Sequence, residues 1–317
     1  AVAKRSAGAV EFALFTALAA RVPTVVNLGN HEPEFHAVAE TVAKIQATGA
    51  IVLAGNVLNP SNRQPYAPAT TRLKLGAREA VVVGLTTDRL ATFRVAVRPE
   101  LDLADPVGWA QQHLPALLRA APLPIVLAHT GLKADRAILP LVPDGTLFAG
   151  AHDHLRFVHR EGRTVYVHSG SWTEFISIAR LRVTAAGPTW SVEQQRITPD
   201  DPADKTLAAL IRATLEQHLT TEETAVVGRT TRALGPTDAA LFAVEAARRA
   251  AGADCALVGA TTFGAGLPAG EVSRFALDAC VRFDGPLFTA EVDGAWLQQL
   301  LARCNQGPDT PWANRAG

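Results

Sequence analysis

Residues 23–34 read PTVVNLGNHEPE, and this stretch decides the fold. Thr24 to Leu28 is a short apolar run between Pro23 and Gly29, the pattern of a buried strand. It runs directly into Asn30, His31 and Glu32. Two later stretches repeat the arrangement. PIVLAHTG (124–131) ends an apolar run at His129, and GTLFAGAHDH (145–154) ends one just before His152 and His154. In open α/β sheets, ligands bind outside the carboxyl ends of the strands. Three such ends can bring imidazoles to one crevice.

The rest of the chain supports alternation of strands and helices. Val10, Ala13, Leu14, Ala17 and Leu18 have helical spacing within residues 1–21, and Glu34 to Gln46 has a second helical pattern. Strands are expected at Ala50 to Leu53, on both sides of Gly76 within 71–87 (the second at Ala80 to Leu85), and at Pro124 to Ala128. Further strands are expected at Leu147 to Ala149, Thr164 to Val167 and Phe175 to Val183. Ala110 to Ala120 is helical, with Pro115 as a break. The polar, Pro-containing joint at 198–204 (TPDDPAD) marks a boundary between residues 1–200 and 201–317. Beyond it, Thr206 to His218, Thr237 to Ala251 and Gly294 to Cys304 read as helices. Cys255 to Val258 and Leu287 to Val292 read as strands. The fold class is α/β, with an antiparallel part after residue 150.

Composition excludes several classes. Lys plus Arg is 30 and Asp plus Glu is 30 in 317 residues, so no basic face for nucleic acid or polybasic membrane patch is expected. No apolar run reaches the length of a spanning helix, about 18 residues. Cys255, Cys280 and Cys304 are too few for a disulfide framework or zinc knuckle. A chain this long buries roughly 75% of its unfolded surface, enough for one large core or two smaller ones. Met is absent, so Ala1 is read as a processed or truncated start.

Eight of the nine His residues fall in 1–168. In extended backbone His152 and His154 point to the same side, with Asp153 opposite. Both could then reach two metals about 3.5–4 Å apart, the separation in dinuclear hydrolases. Neutral imidazole suits Zn, Mn, Fe or Ni. His36, His113, His159 and His218 read as surface or packing residues. His168, in YVHSGSW, follows a strand and reads either as packing or as a substrate contact.

The series GNHE, a His after an apolar strand, then His-x-His resembles the calcineurin-like metallophosphoesterases. LAGNVL (53–58), VVVGLTT (81–87), GADCALVG and LPAGEV are similar to the 5′-nucleotidase branch. The resemblance implies a four-layer αββα sandwich that carries two divalent ions (Zn, Mn, Fe, Ni or Mg). A smaller α/β C-terminal domain would bind base and ribose. It implies metal ligands at Asn30, His129 and His152 for one ion and at His154 for the other. It also implies a catalytic pair, His31 with Glu34, in which His31 assists the leaving oxygen. Glu34 stands where the nucleotidases have Asp. Relatives are often exported, so a periplasmic or exported protein is what the resemblance implies.

Three features depart from the pattern. The family's opening Asp-x-His and Gly-Asp motifs do not precede GNHE, which reads as truncation at the start, and Gly317 falls inside the expected C-terminal domain. The Asn-Gly-Gly-x-x-Arg signature is replaced, with Gly264 at the Arg position. Arg282 and Phe283 lie just beyond, as an anion contact and a base-stacking ring or as surface and strand residues. The expected function is metal-dependent hydrolysis of phosphoric esters, nucleotides or cyclic nucleotides among them, with a small-molecule substrate as partner. The alternatives are a non-catalytic metal or nucleotide binder and a hydrolase of another ester, such as a sulfur ester. HSGS around Ser169 lacks the elbow of a serine hydrolase. No G-x-G-x-x-G follows the first strand.

Overall fold

The computed structural model describes residues 6–171, 173–185, 187–198, 201–259, 262–282 and 285–304. The chain divides into two compact units, Phe12–Leu207 and Ala208–Gln306, the second including residues 6–11.

The elements that build the site are in the first unit. After helix α1 (Ala9–Ala19) come β1 (Val25–Asn27), α2 (Val38–Ala47), β2 (Ile51–Leu53), β3 (Val57–Leu58), β4 (Thr70–Leu75) and β5 (Arg78–Thr86). Then follow β6 (Asp102–Leu103), α3 (Pro106–Leu118), β7 (Leu123–His129), α4 (Leu132–Ile138) and β8 (Leu147–Gly150). β9 (Arg156–Glu161), β10 (Thr164–Ser169), β11 (Phe175–Thr184) and β12 (Gly187–Arg196) complete the unit. Six strands form one sheet in the order β4-β5-β7-β8-β10-β9. The four inner strands are mutually parallel, and β4 and β9 are antiparallel edges.

The apolar run at β5 explains the layering. Val81, Val83 and Leu85 face a core that includes Ala110, Leu114 and Leu118, one stripe of α3. Each such buried Leu or Val contributes roughly 1.5–3 kcal/mol. Asp105 caps α3 by accepting from the Val107 and Gly108 amides at 3.3 and 2.8 Å. The expected break at Pro115 does not occur, and the helix runs through to Leu118. Pro115 is on the exposed face, so the carbonyl that loses its amide partner faces water, while the buried stripe holds the helix.

On the other side of the sheet, β1 and β2 form a parallel pair with β1 against β5 and β7. Val38, Val42 and Ile45 of α2 pack outside that pair. The order α2, β1–β2, main sheet, α3 with α4 is the αββα sandwich. At Gly84 the two inner layers approach closely. A Cβ there would overlap the Asn27 carboxamide and lie 2.5 Å from Leu53 Cβ.

Several boundaries differ from the sequence reading. The pattern at Glu34 to Gln46 resolves into a 3-10 turn at Glu32–Glu34, where Pro33 departs from helical geometry, followed by α2. β9 and β12 were not anticipated. They pair antiparallel with β10 and β11, and their apolar residues are too few to show alternation.

The second unit holds most of α5 (Lys205–Glu216), then α6 (Thr221–Thr224), β13 (Val226–Thr230), α7 (Pro236–Ala251), β14 (Gly270–Ser273), α8 (Arg274–Cys280) and α9 (Gly294–Cys304). Its core gathers Ala239, Leu267, Val272 and Cys280. The strands expected at Cys255 to Val258 and Leu287 to Val292 are not formed. Strand composition alone does not make a strand without a ladder partner. Neither segment has one among the described residues, and Leu257, Leu287 and Phe288 are exposed.

Candidate functional site

The three strand ends meet. β1 runs on through Leu28 and Gly29 to Asn30, which is 3% exposed. The Asn30 Nδ2 donates to the Thr92 carbonyl at 3.0 Å, and this turns Oδ1 the other way. His129, the last residue of β7, places Nε2 2.8 Å from that Oδ1. His152 places Nδ1 3.2 Å from the same oxygen. The two rings meet edge to face, with centroids 5.1 Å apart. One carboxamide oxygen and two imidazole nitrogens thus converge from widely separated parts of the sequence.

Electrostatics keep these rings neutral. The His129 imidazole is pushed down from 6.5 to about 4, first by burial, then by the rings of His152, His31 and His154, with Asp153 opposing. His152 is also lowered, again mainly by burial, with Asp153 opposing and Arg89 adding to the shift. A neutral imidazole is the form that ligates a metal.

His154 does not sit as the extended-backbone reading required. β8 ends at Gly150, and the chain turns out of the sheet through bends. His152 and His154 both have left-handed backbone, at φ 84° and 57°. Non-Gly residues seldom adopt this conformation, which is over-represented at functional sites. His154 is exposed, and its charge is felt at both His129 and His152. Among the described residues, no three His, Cys, Asp or Glu side chains stand together as a metal site. The third donor of the cluster is the Asn30 carboxamide.

His31 lies beside the cluster with its side chain 72% exposed, and its Nδ1 is 3.2 Å from Glu34 Oε2. The longer carboxylate therefore does reach the ring. His168, by contrast, offers nothing to a ligand. It is 1% exposed within β10. Its Nε2 lies 3.0 Å from Asp135 Oδ2, its ring stacks on Phe157, and Tyr166 donates to the same Asp135 oxygen at 2.7 Å. The alternation of β10 points His168 inward, so of the two sequence readings only packing is realised. In the second unit, Arg282 lies against the segment that carries the altered signature, and its amide donates to the Thr262 carbonyl at 2.9 Å. Its Cδ would be 2.5 Å from a Cβ at Gly264, so the Arg282 stem fills the space beside that glycine. Phe283 lies outside the described residues.

Sequence reasoning missed the polar groups behind the cluster. Asp135 is fully buried and also accepts from the Thr130 hydroxyl, one residue after His129. Asn56 is fully buried and ties down the end of β5. It accepts from the Thr86 amide and donates to the Thr86 and Ala104 carbonyls, each at 2.8 Å. The only sequence signal was a polar side chain inside an otherwise apolar stretch, as in LAGNVL.

Residues 214–315 match the family described as 5′-nucleotidase, C-terminal domain. Among solved structures, the chain is similar to a 5′-nucleotidase precursor from Thermus thermophilus (17% identity, TM-score 0.64), covering 89% of this chain and 62% of that one. The chain has the 5′-nucleotidase fold. It is also similar to the sulfate thiohydrolase SoxB of the same organism (16% identity, TM-score 0.66; 89% of this chain, 54% of that one). A third likeness is to a putative 5′-nucleotidase from Staphylococcus aureus (18% identity, TM-score 0.56; 86% of this chain, 58% of that one). The chain thus spans somewhat over half the length of each of these proteins. No curated protein matches it in sequence. The family resemblance drawn from GNHE, His-x-His and the C-terminal segments agrees with these likenesses.

Proposed function

We propose that this chain belongs to an enzyme that hydrolyses phosphoric esters, nucleotides among them, with the help of a divalent metal ion. The observation that carries the reading is the convergence of Asn30 Oδ1, His129 Nε2 and His152 Nδ1 within 2.8 and 3.2 Å at the carboxyl ends of three strands.

The donor set fits such an ion. Two neutral imidazoles and a carboxamide oxygen are nitrogen and oxygen donors of the kind that suit Zn, Mn, Fe or Ni. The Thr92 carbonyl holds the Asn30 oxygen turned toward the rings, so the donors are already oriented. Asn30, His129 and His152 would hold one ion, and His154 would serve a second. A bound divalent ion would supply Lewis-acid polarisation of a phosphoryl oxygen. The remaining roles belong to the chain itself. His31, oriented by Glu34, gives a proton from its ring to the departing ester oxygen. Residues 1–200 carry this chemistry, and 201–317 hold the base and ribose. Arg282 is the anion contact that succeeds the Arg lost at position 264.

Turnover of p-nitrophenyl phosphate and nucleoside monophosphates, tested across metals, decides the matter. The expected result is hydrolysis with Mn²⁺ that EDTA abolishes. His31→Gln is expected to lower kcat by roughly 10²–10⁴. Metal binding without turnover of any ester would overturn the hydrolytic reading and leave a metal-binding homologue. The likeness to a sulfate thiohydrolase, TM-score 0.66, supports a second reading in which the ester is a sulfur ester. A substrate panel separates the two.

A further inference from the structure

The turn that carries Asn30, His31 and Glu34 is held from outside by one other stretch of the chain. That stretch follows β5 and contains two 3-10 turns, Leu90–Thr92 and Val95–Glu100. Three bonds join the two segments, in step along both. The Thr92 carbonyl accepts from Asn30 Nδ2 at 3.0 Å. The Arg94 guanidinium donates through Nη1 to the Glu34 carbonyl at 2.8 Å. The Glu100 carboxylate accepts from the Val38 amide at 2.8 Å, at the start of α2. Ala37, which precedes α2, has no side-chain oxygen to cap it, so the cap comes from a residue 62 positions away.

The clasping stretch is itself fixed. Phe93 is 1% exposed and belongs to the same core as Leu28 and Val38. Arg98 donates to the Phe93 and Ala91 carbonyls at 2.9 and 2.8 Å. The Glu100 carbonyl accepts from the Tyr66 hydroxyl at 2.7 Å. Arg94 therefore reaches out from a buried neighbour. The turn it reaches has need of a hold. Pro33 departs from helical geometry within it and has no amide to give to a backbone bond. The His31 side chain is 72% exposed, so packing does not aim the ring. What lies against the ring is Glu34, Oε2 to Nδ1 at 3.2 Å, and Arg94 holds the Glu34 backbone.

We infer that Arg94 is a positioning residue for ester hydrolysis: by holding the Glu34 carbonyl it fixes the carboxylate that aims the His31 ring. The inference rests on the proposed hydrolytic function for its consequence in catalysis, but not for the hold itself. Arg94 acts through Glu34 and His31, so its loss is felt where His31 works, at the departing oxygen.

The test compares two leaving groups on the full chain with Mn²⁺. A nucleoside oxygen needs a proton as its bond to phosphorus breaks, whereas p-nitrophenolate departs as a stable anion. Arg94→Ala is expected to lower kcat about tenfold on a nucleoside monophosphate and less than about twofold on p-nitrophenyl phosphate, with KM for both within about twofold. Arg94→Lys keeps one charged donor for one carbonyl and should restore most of the loss. In a His31→Gln background, Arg94→Ala should change kcat by less than about twofold. Arg94 is exposed, so the melting temperature should hardly move. A second arm needs neither metal nor turnover. It follows amide exchange by NMR, in EDTA, at Gly29, which donates to the Glu32 carboxylate of the turn, and at Val38. Both should exchange several-fold faster in Arg94→Ala, with the amides of β5 unchanged. Equal losses on the two esters, or a further tenfold loss in the His31→Gln background, overturn the positioning role. Unaltered exchange overturns the hold itself. If the parent turns over no ester, exchange alone decides: faster exchange leaves the hold standing while the hydrolytic reading falls, and unaltered exchange removes both.

Discussion

His129 makes the stability of the metal-free chain depend on acid in a calculable way. Its ring is held at about 4 in the folded chain against 6.5 when exposed. The unfolded chain therefore takes up a proton at a pH where the folded chain does not. Stability from this group is fully present above about pH 6.5 and is lost as the pH falls toward about 4. Integrating that difference gives a loss of roughly 2 kcal/mol at about pH 5 and about 3 kcal/mol at about pH 4. Against a typical total of roughly 5–15 kcal/mol this is a large share. Other groups titrate in the same range, so the quantity to measure is the difference between parent and His129→Gln. Urea unfolding of both in EDTA, from neutral pH to about pH 4, supplies it. The parent should lose stability faster than the variant by the amounts above. Parallel profiles would show that the ring is not held neutral by its surroundings and would remove the argument that the cluster is set up for a cation.

Other consequences concern the framework and the cluster. Asp135→Ala would take away the buried acceptor shared by the Tyr166 and Thr130 hydroxyls and the His168 ring, leaving Tyr166 and His168 to each other at 2.9 Å, and should cost roughly 3–5 kcal/mol in urea unfolding, with Asp135→Asn costing less. Gly84→Val should be destabilising by at least about 1–3 kcal/mol, seen as a lowered melting temperature, because the added side chain overlaps Asn27 and Leu53 across the two inner layers. Asn30→Ala removes the shared oxygen and should weaken Mn²⁺ binding roughly 10–100-fold by calorimetry, the scale seen when even an outer partner of a metal ligand is lost.

The sequence was most readable where one physical requirement dominates. A strand buried on both faces must be a continuous apolar run, so β1, β5, β7 and β8 stood out, and their ends led to Asn30, His129 and His152. It was least readable where the structure depends on a partner far along the chain. Edge strand β9 and hairpin strand β12 carry too few apolar residues to show alternation, and their pairing with β10 and β11 is a tertiary fact. The segments 255–258 and 287–292 err in the opposite direction, with strand composition but no ladder among the described residues. The backbone at 152–154 was beyond reach for another reason. Left-handed geometry at a His is imposed by surroundings and has no residue signature, unlike a Gly in a turn.

The polar groups behind the cluster explain how three separate loops can keep one geometry. A ligand on a loop is only as fixed as its backbone, and each of these loops is fastened to an element that does not belong to it. The Asn30 carboxamide is anchored to the Thr92 carbonyl, beyond β5. The turn after His129 is fastened through Thr130 to Asp135, which β10 holds through Tyr166 and His168. The turn that carries His152 is fastened through Asp153 to the amide that opens α4. Movement of the Asn30 or His129 loop would therefore break a hydrogen bond that is partly or fully buried, where an unmade bond costs about 1–3 kcal/mol, while the exposed Asp153 bond holds the His152 turn less tightly. This cost sets the stiffness of the cluster. It also gives the deeply buried Asp135 a role, since a core of hydrocarbon alone could hold the sheet together but could not fasten the turn that aims His129.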